Sequence, residues 1–156
     1  MDNFFLPDVI KGDYKDEFQA LKKCNDNTSE YKLSLSDSDI KRIVSTRNQA
    51  LSKNGRVEIN SHVLENIIEA FADSPYIVQD NYADTIEGLV EVFYEYKNET
   101  TDYLSDDELI SVMKEFYDGY CNGSLELLEG KVLYRVAQNI RNGIKDYMDI
   151  SDEKDQ

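Results

Sequence analysis

The sequence predicts an all-α fold: a single-domain helical bundle of five to six helices with short loops. Three observations carry that reading. Apolar residues recur mostly three and four positions apart, the spacing of one helical face. Several segments open with a capping residue flanked by two apolar residues, the signature of a helix start. The only two prolines, Pro7 and Pro75, interrupt no helical pattern. A length of 156 residues suits one domain. No linker, low-complexity stretch or evident repeat divides it. The domain is expected over 1–150, with 151–156 as a frayed polar tail.

The first helix carries Phe18, Leu21 and Lys22, and Asn25-Asp26-Asn27 disfavours its continuation beyond Cys24. The second is capped by Ser36, with Asp37 and Asp39 in the electropositive first turn and Leu35 and Ile40 as a staple. Ile40, Ile43, Val44, Arg47 and Leu51 share its face, and Gly55 stops it. Arg56-Val57-Glu58-Ile59 reads as a short extended piece, the one place where a strand pair could form. Asn60 or Ser61 then caps a third helix carrying Leu64, Ile67, Ile68 and Phe71. It ends near Asp73, where Ser74-Pro75 makes a turn.

The longest helix spans about 80–99, with Tyr82, Ile86, Leu89, Val90, Phe93 and Tyr96 or Lys97 on one stripe. Gly88 inside it costs about 1 kcal/mol relative to Ala and permits close helix approach. Ser105-Asp106-Asp107-Glu108 is a capping box, stapled by Leu104 and Leu109. Leu109, Met113, Phe116, Tyr117 and Tyr120 fill the face that follows. Cys121-Asn122-Gly123 breaks the pattern. Ser124 caps the last helix, whose apolar side is Leu125, Leu128, Val132, Leu133, Val136, Ala137 and Ile140. Gly130 and Gly143 are its weak points.

Charge narrows the function. Seventeen basic residues face 32 acidic ones, a formal net of −15. Such a chain repels phosphate backbones and anionic bilayers, so no nucleic-acid and no membrane partner is expected. The N-terminal residues show no basic region of a signal peptide, and no window approaches eighteen apolar residues. A cytoplasmic location is expected. Cys24 and Cys121 lie far apart and read as free thiols.

Several strings occur together in order: Cys24-Asn25, Tyr31-Lys32-Leu33-Ser34-Leu35-Ser36, Arg47-Asn48-Gln49-Ala50-Leu51, Gly55-Arg56-Val57-Glu58 and Phe71-Ala72-Asp73-Ser74-Pro75-Tyr76. Phe93-Tyr94-Glu95-Tyr96-Lys97-Asn98-Glu99, Asp106-Asp107-Glu108-Leu109-Ile110 and Gly123-Ser124-Leu125-Glu126 complete the set. From about Phe18 to Arg141 the chain resembles a family of small proteins from Gram-positive anaerobic bacteria, known as a domain of unknown function. The resemblance implies a cytosolic bacterial helical protein and assigns no catalytic residue.

The chemistry-bearing residues read mostly as structural. His62, the lone histidine, has no partners for a metal cluster or triad. Cys121 is flanked by Asp118 and Glu126, which raise a thiol's pKa instead of activating it. Asp106-Asp107-Glu108 answers the helix dipole. Asp73-Ser74-Pro75-Tyr76 shapes a turn, with Tyr76 as an alternative partner anchor. One pattern approaches metal chemistry. Asp118 to Glu129 has the length of an EF-hand loop, with Asp118, Asn122, Ser124, Glu126 and Glu129 at ligand positions and Gly123 at the sixth. Tyr120 stands at the third position, where a carboxylate or amide belongs. The simpler reading is a joint in which Asn122-Gly123 turns and Ser124 caps.

The sequence therefore points to a non-enzymatic acidic helical module for protein interaction or regulation, with no cofactor and no assigned catalytic residue. One alternative is weak calcium response through the 118–129 loop. Another is an enzyme whose site gathers distant carboxylates and tyrosines. Oligomeric state and the identity of a protein partner are left open.

Overall fold

In the computed structural model, which describes residues 8–58 and 61–151, helices α1 (Asp8–Thr28), α2 (Asp37–Lys53), α3 (Val63–Phe71), α4 (Gln79–Glu99) and α5 (Asp106–Asp118) follow one another. A continuous helical run closes the chain: α6 (Leu125–Leu127), a π turn (Leu128–Val132) and α7 (Leu133–Arg141). Among the described residues there is no strand. The pair expected near Val57 does not form there, and Val57 is 86 % exposed. Ile59 and Asn60, and the tail from Asp152 onward, lie outside the described residues. The Ser151 hydroxyl donates locally to Asp149 Oδ1 at 2.6 Å.

The start signals act as the residues dictate. Ser36 Oγ accepts from Asp39 N–H while the Asp39 carboxylate accepts from Ser36 N–H, a full capping box. Ser105 and Glu108 do the same for α5, and Ser124 Oγ accepts from Leu127 N–H. Gly55 takes the left-handed backbone that ends α2, at φ +67°. On α4 the flanking Val78 offers no acceptor, and Asn81 substitutes: its Oδ1 accepts from Val78 N–H and its Nδ2 donates to Tyr76 O.

Five local expectations are corrected. First, α1 continues past Cys24 to Thr28. Asn25 does not compete with its own helix because its side chain pairs with both N–H and C=O of Leu35 across the hairpin. Second, His62, not Ser61, holds the N-cap position of α3, without a side-chain cap bond; Ser61 Oγ donates instead to Glu58. Third, Tyr120 leaves the apolar face: α5 ends at Asp118, Gly119 turns the chain, and the Tyr120 ring is 49 % exposed beneath Lys131.

Fourth, the last helix contains the π turn. Tyr96 Oη donates to Glu129 O at 2.5 Å, an insertion that draws this carbonyl from the α-helical ladder. Leu133 N–H bonds Leu128 O five residues back. Fifth, Gly143 lies beyond the end of α7, at φ +73°.

Short connections predict antiparallel neighbours, and the packing adds an order among alternate helices that the sequence reading did not give. Helices adjacent in the chain run antiparallel: Lys22 pairs with Asp37, and Asn25 with Leu35. Alternate helices run parallel, and most of their polar side-chain partners lie at similar distances along the chain. Arg42 meets Asp84 and Glu87, Thr46 meets Glu87, and Asn98 meets Asn54, at separations of 41 to 45 residues. Between α3 and α5, Asn66 meets Asp107 and Lys114 meets Asp73, both at 41. Arg141 meets Glu99 at 42. The chain is therefore a stack of three helical hairpins in two layers, α1, α3 and α5 against α2, α4 and α6–α7. This is the nearest-neighbour organisation of helical repeats.

One core runs through the stack, from Leu21 through Ile40, Phe71, Phe93 and Tyr117 to Val136. Each such fully buried side chain contributes roughly 1.5–3 kcal/mol of transfer free energy. Gly88 is where α4 and α6 of the second layer close up: a Cβ there would sit 2.8 Å from Leu125 Cδ1. Asn139 fastens the C-terminal segment, donating to Tyr147 O and Asp149 O at 3.1 Å each.

Candidate functional site

The parallel pair α3 and α5 leaves a groove on the face of the first layer. Its floor is apolar and small at the centre, Ala70 from α3 and Ile110 with Ser111 from α5. A cavity of about 560 Å³ lies there, and one of about 360 Å³ adjoins it towards His62 and Ser105. Both are shallow and lie open to solvent along their length. Asn66 and Asp107 border both, joined at 3.4 Å. Glu69 and Glu115 form exposed walls.

The far end of the groove is closed by a polar cluster at the two interhelical turns. Lys114 Nζ lies 2.7 Å from Asp73 Oδ1 and 3.1 Å from Asp118 Oδ2. Burial would lower the Lys114 pKa, but both carboxylates bond to it and hold it above the ordinary lysine range. Ser74 Oγ donates to Asp118 Oδ1 at 2.6 Å and accepts from Tyr76 N–H at 3.2 Å. Tyr76 Oη donates to Asn122 Oδ1 at 3.0 Å, and its ring meets Tyr117 edge-on. The Asp73–Tyr76 segment thus makes a turn that latches onto the next hairpin.

These bonds occupy several of the residues at EF-hand positions. Asp118 faces Ser74 and Lys114, Asn122 faces Tyr76, and Ser124 caps α6. Glu126 and Glu129 are exposed. The five are not brought round one centre, and among the described residues no group of three or more His, Cys, Asp or Glu is placed to hold a metal ion. Glu129 instead approaches Glu95 of α4. Burial, a hydrogen bond with Glu129 and the charges of Glu129 and Glu99 push the Glu95 carboxyl up to about 7, against a lowering by Lys53.

A second polar centre lies inside the stack. The buried Arg47 guanidinium stands 3.6 Å from Glu58 Oε1, which also accepts from Tyr94 Oη at 2.7 Å. Arg56 bonds Asn98 and pairs with Asp102, and Asn98 bonds Asn54. Together these fasten the 54–58 connection along α4. Sequence reasoning put Arg47 on the apolar face of α2 without a partner. Its partner lies across a loop, so spacing along the helix could not reveal it.

The remaining candidates are structural in their surroundings. Cys24 and Cys121 are buried free thiols. Burial, then Glu69, Glu65 and Glu17, push Cys24 up to about 12, and burial alone pushes Cys121 up to about 11. The direction expected for Cys121 holds, but its cause is burial and not Asp118 or Glu126. His62 is exposed, its Nδ1 3.3 Å from Glu65 Oε2. Asp106 pairs with Lys97 at 2.8 Å, so the acidic start of α5 is divided between a cap, a salt bridge and the groove.

Sequence reasoning missed the groove residues Asn66, Glu69, Lys114 and Glu115. One signal was present: Phe71-Ala72-Asp73 and Phe116-Tyr117-Asp118 end successive first-layer helices alike, and Lys114 bridges their two aspartates. No helix among the described residues is long and apolar enough to cross a membrane. A family model described as Family of unknown function (DUF6323) matches residues 20–146. Nothing matches the chain among curated proteins or solved structures.

Proposed function

Because the chain belongs to DUF6323, a family of unknown function, we propose from its own geometry that it is a non-enzymatic protein-interaction or regulatory module of the cytoplasm. The observation that carries this reading is the two-layer stack of parallel alternate helices, with its open α3/α5 groove. Stacks of helical hairpins offer long, rigid faces assembled from successive units, and such faces suit macromolecular partners. The polar clusters at Lys114 and Arg47 serve the stack itself by joining one hairpin to the next.

The test is chemical cross-linking of the full chain in a lysate of its own host, with the cross-linked peptides mapped. Reproducible links from Lys22, Lys23 or Lys114, all on the first layer, to one protein are expected. Links spread evenly over every lysine would overturn the reading. So would a turnover activity that co-purifies with the chain through successive columns.

A further inference from the structure

We propose that the α3/α5 groove docks a lysine- or arginine-rich segment of a partner protein. This deepens the interaction-module reading and rests on it. Shape is the first argument. Ala70 and Ser111 leave the middle of the groove unfilled, above the buried Ile110. The two adjoining cavities run along α5 from Ser105 to Glu115, roughly 15 Å at the helical rise. An extended segment of four or five residues covers about that length.

Charge is the second argument. Glu69 on α3 and Asp107 and Glu115 on α5 wall the groove. The groove's own cation, Lys114, is held between Asp73 and Asp118. Among the described residues the carboxylates of Glu69 and Glu115 have neither an ion-pair nor a hydrogen-bond partner, as is true of Asp80 and Glu91 on α4, but only Glu69 and Glu115 face each other across an apolar groove floor. A neutral segment would bury these carboxylates without compensation, and an acidic one would be repelled. A Lys or Arg side chain satisfies both surfaces, its methylenes on Ala70 and Ile110 and its charged head at the walls.

The experiment titrates the full chain into a fluorescein-labelled peptide of alternating lysine and alanine, about ten residues long to overspan the groove, with anisotropy as the readout at about 0.15 M salt. Saturable binding is expected. It should weaken by about tenfold or more in Glu69→Gln/Glu115→Gln and by less than about twofold in Asp80→Asn/Glu91→Gln, which removes the same charge from exposed sites on α4. Equal loss in both double variants would assign binding to the bulk field of a −15 chain and overturn the proposal. Absence of saturable binding would also overturn it. So would spermine binding as tightly as the peptide and displacing it, since the groove would then take a free polyamine. A partner cross-linked through another face would leave the module reading standing while the peptide result removes the groove assignment.

Discussion

Gly123 packs directly on Tyr76: a Cβ added to Gly123 would lie 2.6 Å from both Cβ and Cγ of the tyrosine. The same glycine has φ +82°, a backbone region that L side chains enter only with strain. This contact joins the turn after α3 to the turn after α5, beside the Tyr76–Asn122 hydrogen bond. Gly123→Ala is expected to destabilise the protein by about 2 kcal/mol or more, from strain and overpacking together. Denaturant melting checks it. A loss below about 0.5 kcal/mol would mean that the two turns separate freely.

Arg47→Met leaves the partly buried Glu58 carboxylate with Tyr94 and Ser61 but without the buried Arg47 cation. Breaking one side of a buried pair commonly costs about 3–5 kcal/mol. The expected loss is near the lower figure, because Glu58 keeps two hydroxyl donors. Adding Glu58→Gln should recover part of it. If the double variant is no more stable than Arg47→Met, the charge pairing is not what Arg47 contributes.

Ser105→Ala removes the oxygen that accepts from Glu108 N–H at 3.1 Å. A loss of about 1 kcal/mol is expected, typical of an N-cap. Chemical denaturation measures it directly, and a change under about 0.3 kcal/mol would show that water replaces the cap.

The Glu95 carboxyl, raised to about 7 by burial and by Glu129 and Glu99, links stability to pH. Its folded pKa lies above its unfolded value of about 4.3. The folded state therefore holds the proton more tightly, and this contribution to stability is full at low pH and lost as pH rises through about 7. Glu95→Gln should flatten that part of the Tm profile and raise Tm at pH 8, about a unit above the Glu95 value. Since much of Glu95 is reached by solvent, the effect should be modest. Parallel Tm curves for variant and wild type over that window would refute the assignment.

Calcium titration is expected to give no saturable site in the sensor range of about 10⁻⁷ to 10⁻⁵ M. Asp118 and Asn122 are engaged by Ser74, Lys114 and Tyr76, and any weak stabilisation of this acidic chain should be largely copied by magnesium. Calorimetry decides between this and the EF-hand reading: one micromolar site, abolished by Glu129→Gln, would establish calcium response.

Much of the fold was legible because helix formation is local. Ser36, Ser105 and Ser124 cap helices through atoms three residues away. The stripe from Tyr82 to Tyr96 is buried because a helix carries such spacing to one side. Gly55 ends α2 because its own backbone can turn left-handed. These relations lie within one or two turns of chain, where residue type decides the outcome.

What the sequence did not determine depends on partners about 33 to 46 residues away. The Asp118–Glu129 spacing is compatible both with a cation loop and with a latch. Ser74, Tyr76 and Lys114 arrive from α3's turn and from α5 to make it a latch. Tyr96 likewise reaches Glu129 from another helix and accompanies a π turn that the apolar pattern of 125–140 does not encode. The sequence by itself determined that this chain is helical, acidic and capped at Ser36, Ser105 and Ser124, since those properties follow from composition and short-range bonding. Only the tertiary structure decided that alternate helices run parallel and that Glu69, Asp107 and Glu115 wall one groove. Hydrophobic burial drives the helices together without specifying direction, and register is set by which polar side chains can meet once they pack.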